Sequence, residues 1–97
     1  MQETPDLADA ATKIEGILIG LWQEVLGVEG ISNQSDFFQL GGDSLQMMTL
    51  LFRISQELGV ELDPGTVFDN PAIAQLALVL AERQHSQAAI VPAEGVL

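Results

Sequence analysis

The chain has 97 residues, 47 % of them apolar, which suits one small domain with a modest core and a stability of a few kcal/mol. Three basic residues, Lys13, Arg53 and Arg83, stand against fourteen acidic ones for a formal charge of −11. That balance excludes phosphate-directed nucleic-acid binding and docking on an anionic membrane, and it favours steering towards basic protein partners. The lack of cysteine removes disulfides and thiolate zinc sites and fits a reducing compartment. No apolar stretch nears the length of a membrane span and the N-terminus lacks a signal-peptide pattern, so the cytoplasm is the expected location.

Residues 1–8 are polar, contain Pro5 and are expected to form a flexible lead-in. From Asp9 to Leu26, the residues Ile14, Ile17, Leu18, Leu21, Trp22, Val25 and Leu26 follow the i, i+3, i+4 rule of an amphipathic helix. Thr12 and Glu15 have capping-box spacing, with Asp9 an equal candidate for the cap. Gly27 is placed to end this helix in the left-handed conformation, while Gly16 and Gly20 fall on its solvent side and weaken it.

Residues 27–43 form a long connection in which Phe37, Phe38 and Leu40 are expected to pin the loop, with at least one ring buried. A second helix is predicted from Ser44 to Leu58, stopped by Gly59, and a single turn over Pro64–Phe68. The last helix is predicted to open at Asn70-Pro71, a cap followed by proline, and to run to about Arg83 with Ile73, Leu76, Ala77 and Leu80 inward. Beyond it, residues 86–97 include Ala88-Ala89-Ile90-Val91-Pro92 and read as a linker. The expectation is an all-α chain: a small four-helix bundle over 9–85, with a long loop between helices 1 and 2 and a short third helix.

The second helix has more apolar surface than a core needs. Its polar residues Gln46, Thr49, Arg53, Gln56 and Glu57 share one face, leaving an apolar arc of about 220°, wider than the stripe of a surface helix. Met47, Leu50, Leu51, Ile54 and Leu58 suffice for the core. Leu45, Met48 and Phe52 form a surplus flank, which either neighbouring elements cover or a partner docks on; methionine suits a surface that adapts to partners.

At the start of that helix, Gly41-Gly42-Asp43-Ser44-Leu45 displays a single hydroxyl with no histidine near it in sequence. Ser44 is a good helix cap, but Asp43 is equally good, so capping does not require the serine. The segment Gly42-Asp43-Ser44-Leu45 also spells the signature of the GDSL hydrolases, and Glu82-Arg83-Gln84-His85 is similar to their acid–x–x–His pair. Those enzymes place the serine after a strand of an α/β sheet, and no strand precedes Ser44. A displayed but unactivated serine points to an attachment point with no catalysis of its own.

The run Asp36-Phe37-Phe38-Gln39-Leu40-Gly41-Gly42-Asp43-Ser44-Leu45 strongly resembles the core motif of carrier protein domains. Most of all it resembles the peptidyl carrier (thiolation) domains of nonribosomal peptide synthetases. Trp22-Gln23-Glu24-Val25-Leu26-Gly27, Leu58-Gly59-Val60-Glu61-Leu62 and Phe68-Asp69-Asn70-Pro71-Ala72-Ile73 extend the likeness over roughly Ile14 to Arg83. The resemblance implies that Ser44 is esterified by 4′-phosphopantetheine, transferred from coenzyme A by a phosphopantetheinyl transferase. It places Gly42, Asp43 and Leu45 around the attachment point, with Asp43 at the family's acidic position for transferase and metal-assisted docking, although the chain itself needs no metal site.

The same resemblance makes Leu45, Met48, Thr49 and Phe52 the partner-facing positions. The implied partners are adenylation and condensation domains, and also epimerisation, thioesterase or ketosynthase domains, served by a domain that is monomeric in isolation. Two features depart from the common pattern. Many peptidyl carriers have histidine where this chain has Asp43; aspartate there is similar to acyl carriers, aryl carriers and peptidyl carriers that precede epimerisation domains. Acyl carriers of fatty-acid synthesis, in turn, place acids along the second helix, where this chain has Gln46, Thr49 and Arg53. The alternatives are an acyl carrier of a polyketide or hybrid line and a helical interaction module in which Ser44 only caps.

Overall fold

The computed structural model describes residues 7–94, so residues 1–6 of the lead-in expected over 1–8 and the chain end at 95–97 lie outside the described residues, while Leu7 and Ala8, expected in that lead-in, already belong to the first helix. Four helices follow in order: α1 Leu7–Leu26, α2 Ser44–Leu58, α3 Pro64–Asp69 and α4 Ile73–Glu94. The all-α bundle with a long first connection and a short third helix is as expected. α1 packs most extensively on α4, and α2 lies against α1.

The core is built from the predicted stripes. Ile14, Leu18, Leu21 and Trp22 of α1 meet Met47, Leu50, Leu51 and Ile54 of α2 and Ile73, Leu76, Ala77, Leu80 and Ala81 of α4. Val60, Leu62 and Val67 close the end of the bundle below α2. Leu58 is half-buried, and Ile17, expected inside, is 37 % exposed because it lies off the line joining Ile14, Leu18 and Leu21. Among the described residues no polar side chain is fully buried, and Trp22 Nε1 is the sole buried side-chain donor without a partner. Packing alone holds that ring.

Helix ends show where local signals compete with tertiary ones. α1 begins at Leu7, ahead of the Thr12–Glu15 capping box, so that box does not form. Thr12 Oγ1 donates instead to Ala8 O one turn back, and Glu15 accepts from Asn33 Nδ2 in the long loop. Gly27 and Gly59 take the left-handed conformation that ends α1 and α2, with φ of 68° and 69°.

Asn70 does not cap α4 as predicted. It closes α3, its side chain donating to Thr66 O, and α4 starts at Ile73. The first α4 amides are satisfied across the fold: Ile73 N donates to Ser35 O (3.3 Å) and Ala74 N to Asn33 O (2.8 Å). A lone bridge pairs Asp36 with Ala72. α4 also runs past Arg83 to Glu94, taking in the stretch expected to be linker. Gln84, Gln87, Ala88 and Ala89 favour helix, and no Gly or Pro interrupts before Pro92.

Candidate functional site

The turn before α2 is built on Phe37. Its ring is fully buried, with the rings of Trp22 and Phe38 set edge-to-face against it, each at 5.4 Å between centroids. Asp36 Oδ1 accepts from the amides of Phe38 (2.9 Å) and Gln39 (3.1 Å), and Leu40 N returns to Asp36 O. Gly41 then takes φ of 97°, which only glycine adopts cheaply. Gly42 N donates to Phe37 O at 3.0 Å. A Cβ on Gly41 would meet open space, whereas one on Gly42 would lie 2.5 Å from Phe37 Cδ2 and 2.8 Å from Phe37 O. Gly42 therefore has an internal reason to be glycine.

Asp43 is the α2 cap. Its Oδ1 accepts from Gln46 N (2.8 Å), Gln46 Oε1 accepts from Asp43 N (3.1 Å), and the two together form a capping box. Gln46 Nε2 also donates to Val25 O, tying this end of α2 to the end of α1. Ser44 is the first helical residue. It is exposed, and among the described residues no hydrogen bond engages its hydroxyl. The first intrahelical bond is Met47 N to Asp43 O, so the amides of Ser44 and Leu45 have no intrahelical acceptor. With the positive end of the helix dipole, they suit a phosphodiester on the Ser44 oxygen. The residues present fit that group, and capping, the competing role for Ser44, belongs to Asp43.

The surplus flank of α2 is uncovered. Leu45 is 77 %, Met48 55 % and Phe52 61 % exposed, and Thr49 is exposed beside them. On the polar side, Arg53 is taken up by Glu24 of α1 and Glu57 one turn on, so α2 offers no free cation to a partner. Beside the flank lies an open groove of about 280 Å³ lined by Met48, Leu51, Phe52, Ser55, Glu61, Leu62 and Pro64.

Two features escape a reading of α2 alone: the groove wall from Leu62 and Pro64, and an aromatic pair beyond it. Phe68 of α3, 55 % exposed, stacks on Phe38 at 4.9 Å with planes within 3° of parallel, joining α3 to the long loop. Their signal in the sequence was only a pair of phenylalanines thirty residues apart. Around α3, the Thr66 hydroxyl donates to Asp63 Oδ1 at 2.7 Å and holds that exposed carboxyl below its ordinary value.

The hydrolase reading fails on geometry. Gln84 Nε2 donates to Leu58 O, which puts neighbouring His85 by the far end of α2. Fifteen residues of helix, about 21 Å, separate that end from Ser44. Among the described residues no cluster of His, Asp and Glu could hold a metal ion, and no helix is long and apolar enough to cross a membrane.

Comparison with known proteins agrees with this geometry. Residues 17–80 match the family model described as "Phosphopantetheine attachment site". Tyrocidine synthase 3 of Brevibacillus parabrevis is 41 % identical over 75 residues, 77 % of this chain. Gramicidin S synthase 2 of Aneurinibacillus migulanus is 39 % identical over 74 residues, 76 % of this chain. The chain spans only 1 % and 2 % of the length of those two proteins. A solved structure of the phosphopantetheine transferase Sfp with coenzyme A and a peptidyl carrier protein superposes with a TM-score of 0.70 at 34 % identity, covering 86 % of this chain and 99 % of that one.

Proposed function

The chain belongs to the phosphopantetheine attachment family of carrier domains, and from that premise we propose that it is a peptidyl carrier domain modified at Ser44. It has no catalysis of its own. When bound, 4′-phosphopantetheine supplies a thiol on a long flexible arm, where aminoacyl and peptidyl groups are held as thioesters between the partner domains of a nonribosomal peptide assembly line. The observation that carries the assignment is the division of labour at the start of α2. Asp43 makes the capping box and, among the described residues, leaves the Ser44 hydroxyl exposed and unbonded beside two amides with no intrahelical acceptor.

In this reading Gly42, Asp43 and Leu45 frame the serine for a phosphopantetheinyl transferase, and Leu45, Met48, Thr49 and Phe52 meet the partner domains. Adenylation and condensation domains are the proposed partners, in the cytoplasm. Residues 9–85 act as the carrier unit and 86–97 lead out of it. The peptidyl subtype is favoured over an acyl carrier because α2 has no acid in its first turn and its one cation is neutralised within the fold. The test is intact mass after incubation with coenzyme A, magnesium and a broad-specificity transferase. Wild type is expected to gain one phosphopantetheine and Ser44→Ala none; a wild type without the gain overturns the proposal.

A further inference from the structure

We propose that Phe37 is a positioning residue for the Ser44 hydroxyl and acts through the backbone of Gly42. The inference rests on the reading of Ser44 as the attachment point. Phe37 is immobilised from several directions. Its ring is packed by Trp22 of α1 and by Phe38, its N–H donates to Pro71 O just ahead of α4 (3.0 Å), and its carbonyl accepts from Gly42 N (3.0 Å). Gly42 lies directly on that ring, at a distance that leaves no space for a methyl group.

From Gly42 the chain has little freedom to absorb a displacement. Asp43 is clamped in both directions by Gln46, and Gln46 is anchored to Val25 O. The hydroxyl therefore takes its place from two anchors, the Phe37 ring on the loop side and the end of α1 on the helix side. Gly41 is a useful contrast, because space around its Cβ position is open and its requirement is conformational only. Two adjacent glycines thus answer to different constraints, and only the second transmits the position of the core to Ser44.

Gly42→Ala drives the turn off the ring and with it the serine. A nucleophile displaced by an ångström in the transferase complex loses on the order of 100-fold in rate. The expected result is a fall of that size in kcat for loading with KM little changed, since the docking flank on α2 is untouched. Adding Phe37→Leu removes ring atoms from the overlap and restores part of the rate, although Phe37→Leu by itself loosens the support and slows loading. Ile54→Val, a single-methylene truncation of a fully buried side chain in α2, serves as the control for lost stability and is expected to stay folded and load at the wild-type rate. Amide shifts of Asp43, Ser44 and Gln46 in ¹H–¹⁵N spectra report the turn independently of loading. They are expected to move in Gly42→Ala and to return towards wild type in the double variant.

Gly42→Ala that loads with wild-type kcat, or a double variant slower than Gly42→Ala, overturns the positioning role. So does a loss of rate in Ile54→Val equal to that in Phe37→Leu, which would make the effect one of stability. If wild type is not loaded at all, the Ser44 assignment fails, and the amide shifts alone then decide whether Phe37 sets the turn.

Discussion

Replacing Asp43 and Ser44 one at a time separates a serine that caps from a serine that is displayed. Asp43→Ala removes the acceptor of the 2.8 Å bond from Gln46 N and leaves the reciprocal 3.1 Å bond from Asp43 N without its partner half. Loss of a cap of this type costs about 1 kcal/mol, and loss of the negative charge at the helix N-terminus adds roughly 0.3–1 kcal/mol. The sum, about 1–2 kcal/mol, lowers Tm by roughly 4–8 °C per kcal/mol in a domain of this size.

Ser44→Ala removes an exposed hydroxyl that holds no hydrogen bond among the described residues, so its change stays within about 0.5 kcal/mol of zero. Urea denaturation followed by circular dichroism, with thermal melts alongside, measures both. If Ser44→Ala loses about 1 kcal/mol or more while Asp43→Ala is silent, the serine is the cap and the interaction-module reading regains its ground.

Met48→Glu is expected to leave Tm near wild type, because Met48 is more than half exposed, while lowering turnover by a partner adenylation or condensation domain; unfolding of the variant would put Met48 in the core and refute the docking face. Gly16→Ala combined with Gly20→Ala should stabilise α1 by about 1–2 kcal/mol, since both sit inside the helix with nothing near an added Cβ. A melt that does not rise would show that one of these positions is not free. Asp63 titrates below its ordinary value chiefly because of the Thr66 hydroxyl. Its contribution to stability is thus present above the unfolded-state value and is lost as pH falls through the folded one. Thr66→Ala should raise its midpoint in a carboxyl-carbon NMR titration, and an unchanged midpoint would assign the shift elsewhere.

The bounds of α2, the glycine stops of α1 and α2, and the inner stripes of α1, α2 and α4 were legible because each depends on neighbours within four or five positions along the chain. The width of the apolar arc on α2 was legible for the same reason, and it located an exposed flank at Leu45, Met48 and Phe52 before any packing partner was known. At the start of α4 a local signal met a distant competitor. Asn70-Pro71 has the spelling of a helix start, yet the carbonyls of Asn33 and Ser35 cap α4 more than thirty residues away, which frees Asn70 to close α3.

By itself the sequence determined an all-helical chain, the place of an unactivated serine at the head of α2 and an excess of apolar surface beside it. Short-range periodicity, cap chemistry and glycine conformation are written into adjacent residues. Only the tertiary structure decided that Gln46 of the Asp43 capping box reaches back to Val25 at the end of α1, that Gly42 is shaped by the Phe37 ring, and that Leu62 and Pro64 complete a groove against Met48 and Phe52. Those outcomes turn on which side chains the bundle brings together in space, and close packing settles them at distances of an ångström or less that no spacing along the chain records.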